Sequence, residues 1–332
     1  MTETLMIDES RTSWNAAHPA GADTGERPLR LGTRPSTLAV TQSRWVARQL
    51  SEVVGRSVEL VAITTPGDAA LGPIDRIGSS GVFVSSVREA LQQKRVDLVV
   101  HSLKDLPTET PNDLVVAAIP AREDPRDALV SRGSHRLFDL PSGSRIGTSS
   151  LRRVAELRRL ALPVEVQPLR GNIDSRLRML LEGRVDALII AAAGLARLGR
   201  SDVVTELLDP AVMLPAPAQG ALAVECRADD DAMLSALDRL DHLPTRIAIT
   251  AERGFLAALG LGCSAAVAAL ATLTPQPGGD IIHLEAMAVL NRDGTPRRWV
   301  GQAPARDAAA LGRRLAMQAM AAERSPIGAG HD

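Results

Sequence analysis

The chain has 332 residues, 45% apolar and 23% charged, enough to bury a sizeable core in two or three domains. Its 38 basic and 39 acidic residues leave a net charge of −1, which argues against a general nucleic-acid binder. No run approaches the ~18 apolar residues that a membrane helix needs.

The start, Met1-Thr-Glu-Thr-Leu-Met-Ile, has no basic segment followed by an apolar one, so no secretory signal is visible. Cys226 and Cys263 are too few for a disulfide framework. A reduced, cytoplasmic enzyme or binding protein is therefore expected. Only Lys94 and Lys104 are lysines, and a lysine kept in so arginine-rich a chain points at Lys104, because lysine is a compact, tunable charge.

Residues 1–27 lack periodicity and read as a disordered leader. Arg30-Leu-Gly-Thr reads as a strand entering a turn, followed by helical spacing of Leu38, Val40, Trp45, Val46 and Leu50. A strand at 58–63, a long glycine-rich loop at 64–82, a helix at 84–93 and a strand at 96–101 follow. Strands alternating with helices predict a mostly parallel α/β sheet. The pattern restarts at Arg145-Ile-Gly-Thr-Ser-Ser-Leu-Arg-Arg, echoing Arg30-Leu-Gly-Thr, with strands at 164–169 and 185–193 around a helix at 172–183. Two similar α/β units joined near 110–125 imply two lobes with a cleft. Pro215-Ala-Pro-Ala-Gln-Gly reads as a crossing segment and 220–226 as a strand. A helix at 245–259, strands near 266–273, 281–290 and 297–302, and a helix at 306–323 make a small α+β third domain.

Three groups could carry chemistry. Arg34, Ser36, Arg152, Arg153, Arg170, Arg176 and Arg197 fall at or past strand ends, where open α/β sheets bind ligands. Several guanidinium forks there suit a ligand with many carboxylates or phosphates, although any one of them taken alone reads more readily as solvated surface arginine. In His101-Ser-Leu-Lys-Asp, Asp105 could act as a general acid or base and Lys104 could pair with an anion. The alternative there is a helix-capping carboxylate beside a salt-bridged lysine. Cys263, between glycine and serine on a turn, could be a nucleophile or attachment point, or simply a small buried residue; Cys226, inside a strand, fits the buried role. No His/Cys pair has metal-ligand spacing, and the glycine-rich loop lacks a Walker lysine. From the residues alone, a two-lobed ligand-binding protein competes with an enzyme.

Taken in order, the motifs resemble one family. Leu-Gly-Thr-Arg-Pro-Ser-Thr-Leu-Ala, His-Ser-Leu-Lys-Asp-Leu-Pro-Thr, Arg-Glu-Asp-Pro-Arg-Asp-Ala, Ile-Gly-Thr-Ser-Ser-Leu-Arg-Arg, Leu-Arg-Gly-Asn-Ile-Asp-Ser-Arg, Ala-Gly-Leu-Ala-Arg-Leu-Gly, Pro-Ala-Gln-Gly-Ala and Gly-Cys-Ser together resemble the hydroxymethylbilane synthase, or porphobilinogen deaminase, family over about residues 29–320. That resemblance implies two periplasmic-binding-protein-like lobes and a small C-terminal domain. The boundaries expected are 28–120 with 218–240, then 121–217, then 241–325. It implies stepwise joining of four porphobilinogen molecules with loss of ammonia, primed by a dipyrromethane cofactor thioether-linked to cysteine. By match, Cys263 is the attachment residue and Asp105 the catalytic carboxylate. Lys104, Ser150, Arg152, Arg153 and Arg176 match cofactor-binding positions. Arg34, Ser36, Gln42, Arg170, Arg176, Arg197 and Gln219 match substrate-binding ones.

The partners implied are porphobilinogen and the growing oligopyrrole, with no nucleic acid, no membrane and a monomeric chain. The family pattern usually has Arg at Pro66, Lys at Ser80, a Lys-Glu-Leu-Glu run beginning at Ser85, and Gly at Leu261, so this chain carries less positive charge along the loop.

Overall fold

The computed structural model describes residues 27–64, 82–262, 265–291 and 294–324. Residues 1–26 of the proposed leader, the loop with Pro66 and Ser80, and Cys263 itself lie outside the described residues, while Arg27, its last residue, is bonded to Asp97. In chain order the elements begin with β1 (Leu29–Thr33), α1 (Thr37–Val54), β2 (Val58–Ala62), α2 (Val82–Gln92), β3 (Leu98–Ser102), β4 (Leu114–Ala118) and β5 (Asp127–Ser131). Next come β6 (Ser144–Gly147), α3 (Leu151–Arg159), β7 (Val164–Gln167), α4 (Ile173–Leu181), β8 (Ala187–Ala191), α5 (Ala192–Arg197), β9 (Glu206–Leu207) and β10 (Leu222–Arg227). The remainder is α6 (Asp231–Asp238), α7 (Leu243–Ala258), β11 (Val267–Thr274), β12 (Ile281–Ala288), β13 (Arg297–Pro304) and α8 (Ala308–Arg324).

The chain divides into two compact units. The first holds the residues up to His101 with Pro111–Ala118 and Val224–Leu240; the second holds Ser102–Thr110, Ile119–Ala223 and the chain from Asp241 onward. The first unit is built on a five-stranded sheet ordered β2-β1-β3-β10-β4. β1 runs parallel to β2 and β3, and β10 antiparallel to β4. The second unit contains a matching sheet, β7-β6-β8-β5-β9, in which β6 is parallel to β7 and β8 while β5 is antiparallel to β8 and β9.

The echo between the two Arg-x-Gly-Thr segments extends to their side chains. The Arg30 backbone N–H donates to Asp97 Oδ2 at 2.9 Å, and its Nη2 donates to Oδ1 at 3.1 Å. Arg145 repeats this on Asp186, with its backbone N–H at 2.9 Å and Nη2 at 3.0 Å. Each aspartate stands one residue after a buried valine, Val96 or Val185, so the same carboxylate pins the start of the first strand in each repeat. At Gly147 the Leu169 and Leu188 side chains close over the strand, and a Cβ there would have to displace them.

One expectation is corrected. The sheets are mixed rather than mostly parallel, because the segments at 114–118 and 127–131, left without elements in the sequence reading, are the antiparallel strands β4 and β5. Both lie beside turn-forming prolines and aspartates that mask five-residue strands.

The second unit also holds the antiparallel meander β11-β12-β13, registered Val267↔Ala288 and Ala286↔Trp299. Helices α7 and α8 pack on it around Phe255, Leu284, Leu311 and Leu315. Gly312 lets the two helices meet closely, because a Cβ there would strike the Ala251 carbonyl and the Phe255 amide. Leu261, where the family pattern has glycine, packs against this core. Among the described residues, no helix is long and apolar enough to cross a membrane.

Candidate functional site: a buried carboxylate ringed by arginines

The second unit gathers several predicted site residues around Asp127, the first residue of β5, whose side chain is fully buried. Arg153 Nη2 donates to Asp127 Oδ1 at 2.7 Å and its Nη1 to the Ile189 carbonyl at 2.8 Å. Arg152 Nη1 lies 2.8 Å from Oδ2 and donates to the Leu214 carbonyl at 2.6 Å. Both arginines occupy the first turn of α3, whose N-cap is Ser150, so the Ser-Ser-Leu-Arg-Arg run delivers them side by side. Burial alone would raise the Asp127 carboxyl, but the two guanidiniums hold it well below the usual carboxylate range.

Gln219 joins this centre to the Lys104–Asp105 turn. Its Nε2 donates to Asp127 Oδ1 and to the Pro125 carbonyl, both at 2.9 Å, which turns Oε1 toward Lys104 Nζ at 3.4 Å. Lys104 is half-buried, and desolvation pushes its ammonium below the ordinary lysine value against the pull of Asp105. Asp105 ends a single 3-10 turn, Leu103–Asp105, and is exposed. Among the described residues, Asp105 therefore stands at the end of a short turn and not at a helix N-cap, and Lys104 meets an amide oxygen and no carboxylate within salt-bridge distance.

Neighbouring residues of α7 hold both segments. Glu252, fully buried, accepts from Arg122 Nη1 at 2.6 Å, from the Ala271 amide at 2.9 Å and from the Ala218 amide at 2.7 Å. Ala218 has φ 64°, a left-handed conformation costly for any residue but glycine, and it directly precedes Gln219. Arg253 donates to the carbonyls of Leu106 at 2.9 Å and Pro107 at 2.6 Å, closing the Lys104–Asp105 turn.

The other predicted residues fall in three groups. Arg176, on α4, donates through Nε to the Gly171 carbonyl at 2.9 Å and faces no carboxylate among the described residues. Burial, then the like charge of Arg153, pushes its guanidinium down. Arg197 closes α5 and donates to the Gly220 carbonyl at 2.6 Å, and Arg170 is exposed after β7. In the first unit, Ser36 caps α1 by accepting the Ala39 amide at 3.4 Å, Arg34 precedes it on the turn, and Gln42 is buried on α1. Cys226 is buried in β10, where desolvation pushes its thiol up to about 11 and leaves it inert.

Sequence reasoning missed Asp127, Glu252 and Arg122. Asp127 lay inside a quoted motif, Arg-Glu-Asp-Pro-Arg-Asp-Ala, but a carboxylate after Pro-Arg reads as a loop residue until a strand is seen to start there.

The donor set suits a polycarboxylate such as a dipyrromethane. Lys104, Arg152, Arg153 and Arg176 cluster around Asp127, with Asp105 and Glu156 the other carboxylates acting on them, and Arg152 Nε is buried without an acceptor among the described residues. Among the described residues, no group of acidic, histidine or cysteine side chains could hold a metal ion.

Comparison with known proteins agrees with this chemistry. Residues 29–235 match the family model "Porphobilinogen deaminase, dipyromethane cofactor binding domain", and residues 246–321 match "Porphobilinogen deaminase, C-terminal domain". Porphobilinogen deaminase of Nocardia farcinica is 53% identical over 251 residues, 76% of this chain and 72% of that one. Porphobilinogen deaminase 1 of Streptomyces coelicolor is 54% identical over 252 residues, 75% of this chain and 79% of that one. The solved methionine-binding protein MetQ aligns over 64% of this chain and 89% of that one at 14% identity and a TM-score of 0.40. A mixed α/β chain with a buried, arginine-ringed carboxylate is thus an enzyme of tetrapyrrole synthesis by kinship. The chain belongs to the porphobilinogen deaminase family.

Proposed function

We propose that the chain is a working transferase, a hydroxymethylbilane synthase that condenses four porphobilinogen molecules head to tail and releases the linear tetrapyrrole. The observation that carries this reading is the exposed Asp105 carboxylate beside a cationic cluster tied together by Gln219 and Asp127. A dipyrromethane thioether-linked to Cys263 would supply the free pyrrole carbon that starts the chain.

Loss of ammonia from porphobilinogen leaves positive charge spread onto the pyrrole nitrogen. Asp105 is assigned to stabilise that charge and to take and return the proton at that nitrogen. The half-buried Lys104 gives up its proton more readily than a solvated lysine, and by match it holds a carboxylate, whose negative charge would favour its ammonium form, with Ser150, Arg152, Arg153 and Arg176. Each condensed ring adds two carboxylates, which Arg170, Arg176 and Arg197 are suited to neutralise. Arg34, Ser36, Gln42 and Gln219 are assigned to substrate by the same match.

A monomeric, cytoplasmic enzyme divided at the expected domain boundaries, with no nucleic-acid partner, completes the reading. Incubating the purified chain with porphobilinogen tests it: equimolar ammonia release per porphobilinogen and a linear tetrapyrrole are expected. Porphobilinogen bound but unconsumed would identify a binding protein instead.

A further inference from the structure

Glu156 lies on α3, one turn after Arg152, and is fully buried. Its Oε1 accepts from Arg298 Nη2 at 2.6 Å and from the Leu214 amide at 3.3 Å, and its Oε2 accepts from Arg159 Nε at 2.6 Å. The carbonyl of that same Leu214 accepts from Arg152 Nη1 at 2.6 Å. Around it, the strap from Pro210 to Leu214 is held along its length. Arg298 Nη1 donates to the Pro210 carbonyl at 3.3 Å and Arg159 Nη2 to the Val212 carbonyl at 3.0 Å, while Leu214 itself packs with Ala268 and Met287. Arg298 belongs to β13 of the small meander, so a residue on that sheet is joined to an arginine of the Asp127 centre by one carboxylate and the backbone of one residue.

A fully buried carboxylate needs this many donors to stay ionised, and it places them at fixed positions. Leu214 is bonded at both its amide and its carbonyl, which lie on successive peptide units, so the backbone conformation of this one residue fixes where the Arg152 guanidinium can point. Among the described residues, Asp127 is the other group that holds that fork.

We propose that Glu156 and Arg298 are positioning residues for Arg152, holding its guanidinium through the backbone of Leu214. Arg298, partly exposed, can be changed without emptying the core. Its removal would let Glu156 turn toward Arg159 alone and release Leu214, freeing Arg152 to move while leaving it chemically intact. The kinetic consequence rests on the proposed function, in which Arg152 holds a carboxylate of the covalently linked primer; that carboxylate is bound before porphobilinogen arrives, so loosening it misplaces the attacking pyrrole and lowers kcat while sparing KM. The movement of Arg152 itself does not rest on that reading.

The test compares Arg298→Met, Arg298→Lys and Glu156→Leu in the full chain with the unaltered protein. Two readouts are used: the Arg152 Nε–H resonance, assigned by its loss in Arg152→Lys, and steady-state kinetics with porphobilinogen. Arg298→Met and Glu156→Leu are expected to shift that resonance and speed its exchange with water about tenfold, and to lower kcat about five- to twentyfold with KM within threefold. Arg298→Lys, which restores one charged donor to Glu156, is expected to recover at least half of each change. An Arg152 resonance unmoved in Arg298→Met, whatever happens to kcat, overturns the proposal even if Glu156→Leu fails to fold. A moved resonance in a protein that never consumes porphobilinogen upholds the positioning role and overturns the functional reading.

Discussion

The Glu252 carboxylate accepts the backbone N–H of Ala218 at 2.7 Å, and so holds a non-glycine residue at φ 64° immediately before Gln219. The same carboxylate pairs with Arg122 and the Ala271 amide, so one side chain on α7 joins the small meander to the Asp127 centre. Removing it strands the Arg122 charge, two amides and a strained residue together. Glu252→Ala is expected to cost about 3–5 kcal/mol in urea unfolding, as loss of one partner of a buried ion pair does. A loss below about 1 kcal/mol, the range of an exposed pair, would contradict the role given to Glu252.

Asp105 is exposed at the end of a short turn whose carbonyls, not its carboxylate, are held by Arg253. Asp105→Asn is therefore expected to leave the melting temperature nearly unchanged while lowering kcat by about 10²–10⁴-fold, the range for a lost acid–base or charge-stabilising group. Turnover within a few-fold of the unaltered protein would remove Asp105 from the reaction.

Arg176 stands in the opposite position. Desolvation and Arg153 disfavour its charge, and its Nε bond to Gly171 is modest return. Arg176→Met is expected to change stability by no more than about 1 kcal/mol, yet to weaken porphobilinogen use by about 10- to 100-fold through loss of a charge-assisted hydrogen bond. Thermal melts and KM measured on the same preparation separate the two effects; a large loss of stability with KM unchanged would mark Arg176 as structural.

Acid should expose a different group. In the first unit, burial pushes the Glu225 carboxyl upward, but His101, 3.0 Å away, and Arg88, donating at 2.6 Å and 3.0 Å, hold it down at about 2. A carboxyl depressed by folding stabilises the native state above its unfolded value near 4.5, and that stability is lost as pH falls from there toward 2. The loss over the whole window is on the order of 3 kcal/mol for this group, with Asp97 and Asp127 acting in the same direction. Urea unfolding of the intact chain between pH 6 and pH 3 should show falling stability, and Glu225→Gln should flatten part of the slope. Equal slopes in the two proteins would contradict the account.

Much of this arrangement was legible beforehand, and for physical reasons. Strands such as Val96–His101 and Ile189-Ile190 announce themselves by apolar runs, and the Arg-x-Gly-Thr echo marked a repeat whose aspartate clasp the structure then supplied. Lys104, Arg152, Arg153 and Gln219 were singled out, and they converge on one centre. What stayed hidden is the set of buried carboxylates. Asp127, Glu156 and Glu252 look like surface residues in sequence, because, Arg159 beside Glu156 apart, the donors to these carboxylates lie 19 to 142 residues away, where no local pattern displays them. β5 was missed for the same reason, since its first residue is a charged side chain whose partners come from α3 and the crossing segment.

The central claim is that this chain carries a covalent primer and elongates it, and intact mass of the purified protein tests it most directly. The unaltered chain, after exposure to porphobilinogen, is expected to show an excess equal to one dipyrromethane, and Cys263→Ser is expected to show none. An unmodified mass in the unaltered chain, or an excess that survives in Cys263→Ser, would contradict the account.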